Sequence, residues 1–309
     1  ITNPYTFEIL HYVHTEINHD LYVSPWGNDA NDGLSIHTPL QTIFRAVYNI
    51  KSDPSNPRTI HLAEGLYSRT LNQQRFPVPM KNHANLVGLA KDKVIIDVEM
   101  NTFALSISPH SKYIYISNIT FQNCKGGIGS SQAENIVLNN VSIRNLSHIW
   151  SSRGFNGYRS SNLYIYNSQF SDISSPEEAM GISIGQGSGD IKLINTEVAC
   201  CNSGTWMPTL QISTINDADV VIDGCSFHDN MSSAPDIWNS IMQIGPFNNN
   251  QSQRLGVKIS NSAFYNNHQS NPGFMGIVTA MNDTTFVRNC TFAGNSGGSS
   301  ALTVKGNAV

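Results

Sequence analysis

The chain has 309 residues and a net charge of −4 with a pI near 6.2, a balance that speaks against nucleic acid, which selects a basic face. Charged residues make up 13% of it, about half the usual quarter, and 35 Asn and 36 Ser fill the gap, together 23% of all positions. The 39% hydrophobic content excludes a disordered polar chain, and no apolar run approaches the roughly 20 residues of a membrane span.

Residues 1–20 read as an N-terminal extension whose apolar lead includes Tyr5, Phe7 and Ile9. The sequence opens with neither an initiator Met nor a signal peptide, as a mature or excised piece would. Residues 21–58 read as a strand, a turn-rich loop and an amphipathic helix. The helix is predicted over His37–Ile50, with Thr38 as N-cap, Pro39 at the first helical position, and Leu40, Ile43, Phe44, Val47 and Ile50 in one apolar stripe. A lone helix of this kind suits the end of a coil, where core and strand edges would otherwise meet water.

From residue 59 onward the sequence repeats. Aligning Phe121, Ile143, Phe170, Val198, Phe227, Phe264 and Phe292 places Asn118, Asn140, Asn167, Asn195, Gly224, Asn261 and Asn289 three residues earlier, at spacings of 22, 27, 28, 29, 37 and 28. Apolar residues stand five before every anchor and seven before all but the last, where Thr285 stands, so each unit holds a strand with one face inward and then a bend at Asn, which tolerates left-handed backbone. A second short strand is predicted at Ala104–Ser108, Gly181–Gly185, Thr209–Ser213, Ile241–Gly245, Gly276–Ala280 and Ala301–Lys305. Strands and bends repeating at 22 residues or more describe a stacked coil, in which like positions lie about 4.8 Å apart. Neutral amides bond along such a ladder while like charges would repel, which accounts for the composition. Seven Asn-x-Ser/Thr sequons begin at Asn118, Asn140, Asn145, Asn230, Asn250, Asn282 and Asn289, and several fall within this template.

The segment Tyr22–Ala46, followed by Thr59–Tyr67, resembles the start of secreted bacterial right-handed parallel β-helix proteins with the pectin-lyase-like fold. The resemblance implies an all-β, right-handed parallel β-helix solenoid over 59–309, ending in an unfinished rung, and a secreted or surface location. It spans polysaccharide lyases, glycoside hydrolases, tailspikes and adhesins, so it does not deliver a function. Resemblance to pectate lyases would imply clustered aspartates binding calcium with an Arg or Lys base on one outer face. Resemblance to polygalacturonases would imply Asn-Thr-Asp, Asp-Asp and Gly-His-Gly signatures.

Alternation in the second strands sends Leu105, Ile107, Ile182, Ile184, Leu210, Ile212, Met242, Ile244, Leu302 and Val304 inward. It sends Ser106, Ser108, Ser183, Gln211, Ser213, Gln243, Thr279, Thr303 and Lys305 outward. No carboxylate or histidine is among the outward set, and neither Gly-His-Gly nor Asp-Asp occurs in the chain. Glycosidic hydrolysis needs two carboxyl groups roughly 5–9.5 Å apart, and calcium needs several oxygen ligands, so this face reads as non-catalytic. Elsewhere, Asp29 and Asp32 sit in ordinary turn sequences. Asp217, Asp219 and Asp223 fall in and after a tight turn over Thr214–Asp219 and read as solvated, and Glu177 and Glu178 with Arg153 and Asp236 form a loop-borne acid cluster at most. Alternation separates His228 from Asp229. The five cysteines show no metal spacing and read as buried free thiols.

The insertions after each Asn unit carry Trp150, Trp206 and Trp238, with Phe274 in another equivalent loop. Stacked loops line one edge of a coil, where these rings either cover their own loops or form a platform for sugars or protein. The last strand, with Leu302 and Val304, lacks a following Asn unit. Together with Tyr5, Phe7 and Ile9 it suggests head-to-tail self-association. The sequence therefore points to an extracellular structural, adhesive or self-assembling module with weak polysaccharide contacts, no metal and no cofactor. The alternative is a polysaccharide lyase or glycoside hydrolase with a loop-borne site.

Overall fold

The computed structural model describes residues 15–205, 207–233, 240–246, 254–270 and 277–308. The chain winds as a parallel β-solenoid of about eight turns, and every named strand pair is parallel and in sequence order along the coil. Three sheets form its faces. The first, called the groove sheet below, includes Phe103–Ile107, Gly126–Ser131, Ser151–Tyr158, the start of Glu178–Ile194, the start of Leu210–Asp223 and Met242–Pro246. The second runs from Leu21–Val23 through Arg58–Leu62 and Ala84–Gly88 to Leu255–Ser260. The third includes Val94–Asp97, Gln169–Ser175, Glu197–Ser203, Ser226–His228 and Ala263–Tyr265.

The predicted inward residues of the groove sheet from Leu105 to Ile244 are buried, whereas Leu302 and Val304 are half-buried in the final strand. Two strands of this sheet, Gly126–Ser131 and Ser151–Tyr158, lie where the sequence suggested no strand. They are announced by Gly127, Gly154 and Gly181, 27 residues apart at one corner. A Cβ on Gly154 would stand 2.5 Å from the Gly181 carbonyl oxygen and 2.6 Å from Phe170, so the backbone approaches the neighbouring turn too closely for any side chain.

The asparagine bends adopt left-handed backbone as expected, with φ of 58° at Asn118, 54° at Asn140 and 50° at Asn167. A second set of left-handed corners follows each bend by five residues: Asn123, Asn145, Asp172, Cys200, Asp229, Asn266 and Gly294. The outer amide ladder is real but interrupted. Asn140 Nδ2 donates to Asn118 Oδ1 at 2.8 Å, but Asn167 turns to Asn139, and where Gly224 replaces the amide, Asn261 turns to Asp223. Several sequon amides are thus spent as ladder donors.

A second ladder lies inside. Asn230 and Asn267 are fully buried. Asn267 Nδ2 donates to the Phe227 carbonyl and to Asn295 Oδ1, both at 2.9 Å, while its Oδ1 accepts from Asn230 N and Nδ2. Beside it the rings of Phe227, Phe264 and Phe292 stack at 5.0 Å per step, so polar and apolar stacks share one interior.

The helix spans Ile43–Asn49 and starts later than its sequence suggests, because Thr42, not Thr38, is the N-cap. Leu40 is held to the first strand by Leu40 N to Tyr22 O and Ser24 N to Leu40 O, both 2.9 Å. Asp29 takes the Gln41 and Thr42 amides at 2.9 Å and the Thr42 hydroxyl at 2.7 Å. These bonds hold residues 38–41 extended. The helix buries Ile43, Ala46 and Val47 beside the first strands.

The thiols of Cys124, Cys201 and Cys225 are buried and free, and desolvation pushes Cys225 up to about 11. Cys200 departs from the expectation. It is exposed because it occupies a left-handed corner, where the side chain points out of the coil.

The two ladders differ in what they stabilise. Asn267→Ala leaves the Asn230 N–H and the Phe227 carbonyl without their partner, and is expected to cost about 3 kcal/mol. Asn289→Gly keeps the left-handed corner, removes one exposed ladder bond, and is expected to cost less than about 1 kcal/mol. Equilibrium urea unfolding of the two variants checks the contrast.

Candidate functional site

The groove sheet carries a hollow of about 470 Å³. One ladder of neutral side chains forms its floor: Asn156 stands beside Ser183, Ser183 beside Gln211, and Gln211 beside Gln243 on successive turns. Two residues further along each strand Tyr158 faces Gly185, while Ser213 faces Gly245, so small residues leave space beside the tyrosine ring. Arg153 closes one end. Its guanidinium donates to Asn156 Oδ1 at 3.2 Å and to Glu178 Oε2 at 2.5 Å, with both side chains about a quarter exposed.

The face is therefore not as empty as alternation suggested. Arg153 and Glu178, expected in loops, stand on strands of the sheet, and the insertion Ser147–Gly154 is largely the beginning of one. Glu178 is tied to Arg153, which leaves amides and hydroxyls as the accessible chemistry, with one tyrosine. Among the expected aromatic positions, Trp150 is 65% exposed, immediately before the strand Ser151–Tyr158, and its carbonyl accepts from Glu178 N at 3.1 Å. Trp206, Trp238 and Phe274 lie outside the described residues, as do Tyr5, Phe7 and Ile9 and the acid Asp236.

The third sheet corrects the separation of His228 from Asp229. Asp229 occupies a left-handed corner, φ 53°, which ends the alternation and turns its carboxylate back. His228 Nδ1 lies 2.7 Å from Asp229 Oδ2, its Nε2 lies 2.9 Å from Glu197 Oε1, and its ring stacks on Tyr265 at 4.6 Å. Carboxylates only accept, so both bonds together take two ring N–H donors. Gln169 holds the second oxygen of Glu197 at 3.1 Å. The signal for this cluster was the column five residues after each Asn bend, combined with the rung register that puts Glu197 beside Ser226.

The second sheet presents a row the sequence reading missed. Tyr115, Val137, Tyr164 and Lys192 are successive register partners, with Lys192 Nζ 5.5 Å from the Tyr164 ring centre. The acids near this sheet are engaged. At the predicted turn over Thr214–Asp219 the continuous strand Leu210–Asp223 changes partner, from Met242–Pro246 up to Thr214 to Leu255–Ser260 from Ala218, so the chain passes there from the groove sheet to the second sheet. Asp219 receives both Arg254 amines at 2.7 and 2.9 Å, and Asp217 accepts from Arg254 N. Asp223 accepts from Ser260 Oγ at 2.6 Å and Asn261 Nδ2 at 2.8 Å. Asp29 is spent on the helix start, and Asp32 accepts from Leu34 N and Thr38 Oγ1.

Three solved structures share this winding. An ORF18 protein of Geobacillus virus E2 is 11% identical with a TM-score of 0.50, over 94% of this chain and 62% of its own. This chain has a parallel β-helix fold. An alginate lyase from Paenibacillus sp. str. FPU-7 is 14% identical over 86% of this β-helix and 97% of its own length, with a TM-score of 0.47. A pectate lyase, Pel9A, is 13% identical over 96% and 79%, with a TM-score of 0.47. The model of a family described as a protein of unknown function, DUF1565, matches residues 26–175, the stretch that holds the helix, Arg153, Asn156 and Tyr158. No curated protein sequence matches the β-helix. No helix among the described residues is long and apolar enough to cross a membrane.

Hydrogen bonds from Arg254 hold Asp219 below the usual carboxylate range, and those from Ser260 and Asn261 do the same for Asp223. A depressed folded value means that the stabilisation is complete above the unfolded value, about 3.9 for Asp, and is lost as pH falls through the folded values. The melting temperature is expected to be flat near neutrality and to fall in the acid range below that value. Replacing Arg254 with Gln is expected to lower the melting temperature at neutral pH and to make the acid loss shallower, because Asp219 then differs less from its unfolded value, as a melting series across pH would read.

Proposed function

We propose that this β-helix is a non-catalytic polysaccharide-binding module of a secreted or surface protein, and that the glycan lies in the groove over Asn156, Ser183, Gln211 and Gln243. The observation that carries this reading is the neutral ladder itself. Successive rungs carry neutral groups at about 4.8 Å steps. The half-buried amides of Asn156, Gln211 and Gln243 open to the hollow while Ser183 is buried between them, and such amides exchange hydrogen bonds with sugar hydroxyls without a charge to desolvate. Tyr158 borders the ladder, and exposed Trp150 precedes the strand that carries Arg153. These rings supply the flat apolar surfaces on which sugar faces stack. The ion pair between Arg153 and Glu178 removes the one carboxylate beside the groove from acid–base duty.

One observation favours the catalytic alternative, namely the two carboxylates on His228. Hydrolysis would place a substrate oxygen and a water between two carboxyl groups, and here the imidazole fills that space. The cluster also lies on a different sheet from the groove. The binding reading accounts for more of the surface with fewer changes.

Affinity electrophoresis in gels containing a panel of neutral and acidic polysaccharides tests both readings. Gln211→Ala combined with Gln243→Ala is expected to weaken retardation about tenfold, since each lost bond is worth about 0.5–1.5 kcal/mol, and Trp150→Ala to weaken it further. A reducing-sugar or unsaturated product that disappears in His228→Gln would replace the binding reading with the enzymatic one.

A further inference from the structure

A second hollow lies at the other end of the described coil, beside the helix and away from the groove sheet. It measures about 490 Å³ and is lined by Arg45, Arg75, Tyr48, Phe44, Thr42 and Gln73, with Asp29 as the one acid in its wall. Both arginines are exposed, in a chain that carries a net charge of −4. Arg75 lies over the Phe44 ring with its guanidinium carbon 5.5 Å from the ring centre, and Arg45 lies over Tyr48 at 6.0 Å. The rings orient the two guanidinium groups without neutralising them. No ion pair among the described residues involves Arg45 or Arg75. Asp29 is turned toward the helix start, where its oxygens take the Gln41 and Thr42 amides and the Thr42 hydroxyl, and it makes no ion pair with either arginine. Arg75 also lines an adjoining hollow with Arg69, Asn101 and Thr102, so a third cation stands nearby.

Several cations elsewhere among the described residues are paired with acids. Arg153 bonds to Glu178, Arg254 to Asp219, Lys81 to Glu16, Lys112 to Glu134 and Lys192 to Asp190. Arg45 and Arg75 instead place two oriented guanidinium groups without an ion pair around one hollow. Planar forks of N–H donors match oxyanions, which they bind in bidentate fashion.

We propose that this hollow is an anion site, separate from the neutral groove, which takes the sulfate or carboxylate substituent of a saccharide between Arg45 and Arg75. Tyr48 contributes its 45%-exposed ring to the sugar face, and Gln73 and Thr42 border the substituent. The anion follows from the two arginines. The saccharide carrier rests on the reading of the groove as a glycan site.

The test uses the intact chain and isothermal titration with four probes: a chondroitin sulfate tetrasaccharide, its desulfated counterpart that keeps the carboxylates, a neutral cello-tetraose, and an acidic hexaglutamate peptide. Arg45→Gln with Arg75→Gln is compared with Gln211→Ala with Gln243→Ala, each checked for an unchanged melting temperature. Both arginines are exposed, so their replacement is expected to leave folding intact. The expected result is that the sulfated tetrasaccharide, the desulfated one, or both bind at least tenfold tighter than cello-tetraose. That advantage weakens with added salt, disappears in the arginine pair variant, and survives in the glutamine pair variant. Whether sulfated and desulfated probes differ identifies the substituent. Equal binding of charged and neutral tetrasaccharides, or an advantage that persists without the two arginines, overturns the anion site. Binding of hexaglutamate as tight as that of the tetrasaccharides, with the same arginine dependence, overturns the saccharide carrier. Failure of the groove reading appears separately, as cello-tetraose binding that the glutamine pair does not change.

Discussion

The structure depends on a left-handed backbone corner made at the same place in successive turns from Asn118 onward. Each unit must leave one sheet and enter the next without losing register, and an L-residue at φ near +50° does so at a steric cost that Asn, Asp and Gly bear best. Asn118, Asn140, Asn167 and Asn195 make one such column, and Asn123, Asn145, Asp172 and Cys200 make the next. Once the corners align, everything between them stacks on itself: Phe227 on Phe264, Asn230 on Asn267, and Gln211 on Gln243. Stacking then selects composition. An amide placed above an amide bonds to it, whereas a charge placed above its like repels it.

The same constraint governs where chemistry can appear. Several charges on this coil are neutralised by a partner on a neighbouring turn, as at Arg153 with Glu178 and Asp219 with Arg254, and others stand at corners, where a side chain leaves the ladder. His228 is a corner effect of that kind. The left-handed Asp229 bends its carboxylate back onto the ring, while Glu197 reaches it from the previous turn. The groove sheet stays neutral because its rungs stack like with like, and that neutrality suits it to sugar hydroxyls better than to acid–base work. The hollow beside the helix escapes the ladder rule, since no repeating unit passes through it, and there two arginines stand without an ion pair.

The interior was legible in the amino-acid sequence to the level of individual residues. Two-residue alternation sent Ile182, Ile184, Leu210, Ile212, Met242 and Ile244 inward, and the Asn columns announced the bends, because both signals are local. The helix was legible as an element but not at its boundary. The bonds that delay its start come from Asp29 and Tyr22, well before it in the chain. The strand Ser151–Tyr158 was hidden because its entry is marked by close approach at Gly154, a tertiary contact with Gly181, and no alternation precedes it.

What the sequence by itself determined is the winding: repeat length, bends, the inward set and the shortage of charge, since each follows from backbone geometry within one turn. What only the tertiary structure decided is the pairing of polar groups between turns. Arg254 meets Asp219 across 35 residues, Glu197 meets His228 across 31, and Arg153 meets Glu178 across 25. Turn lengths vary between units, so the partner one rung away has no constant offset in sequence. Only the closed stack sets which side chains face each other, and with them the surfaces available for binding.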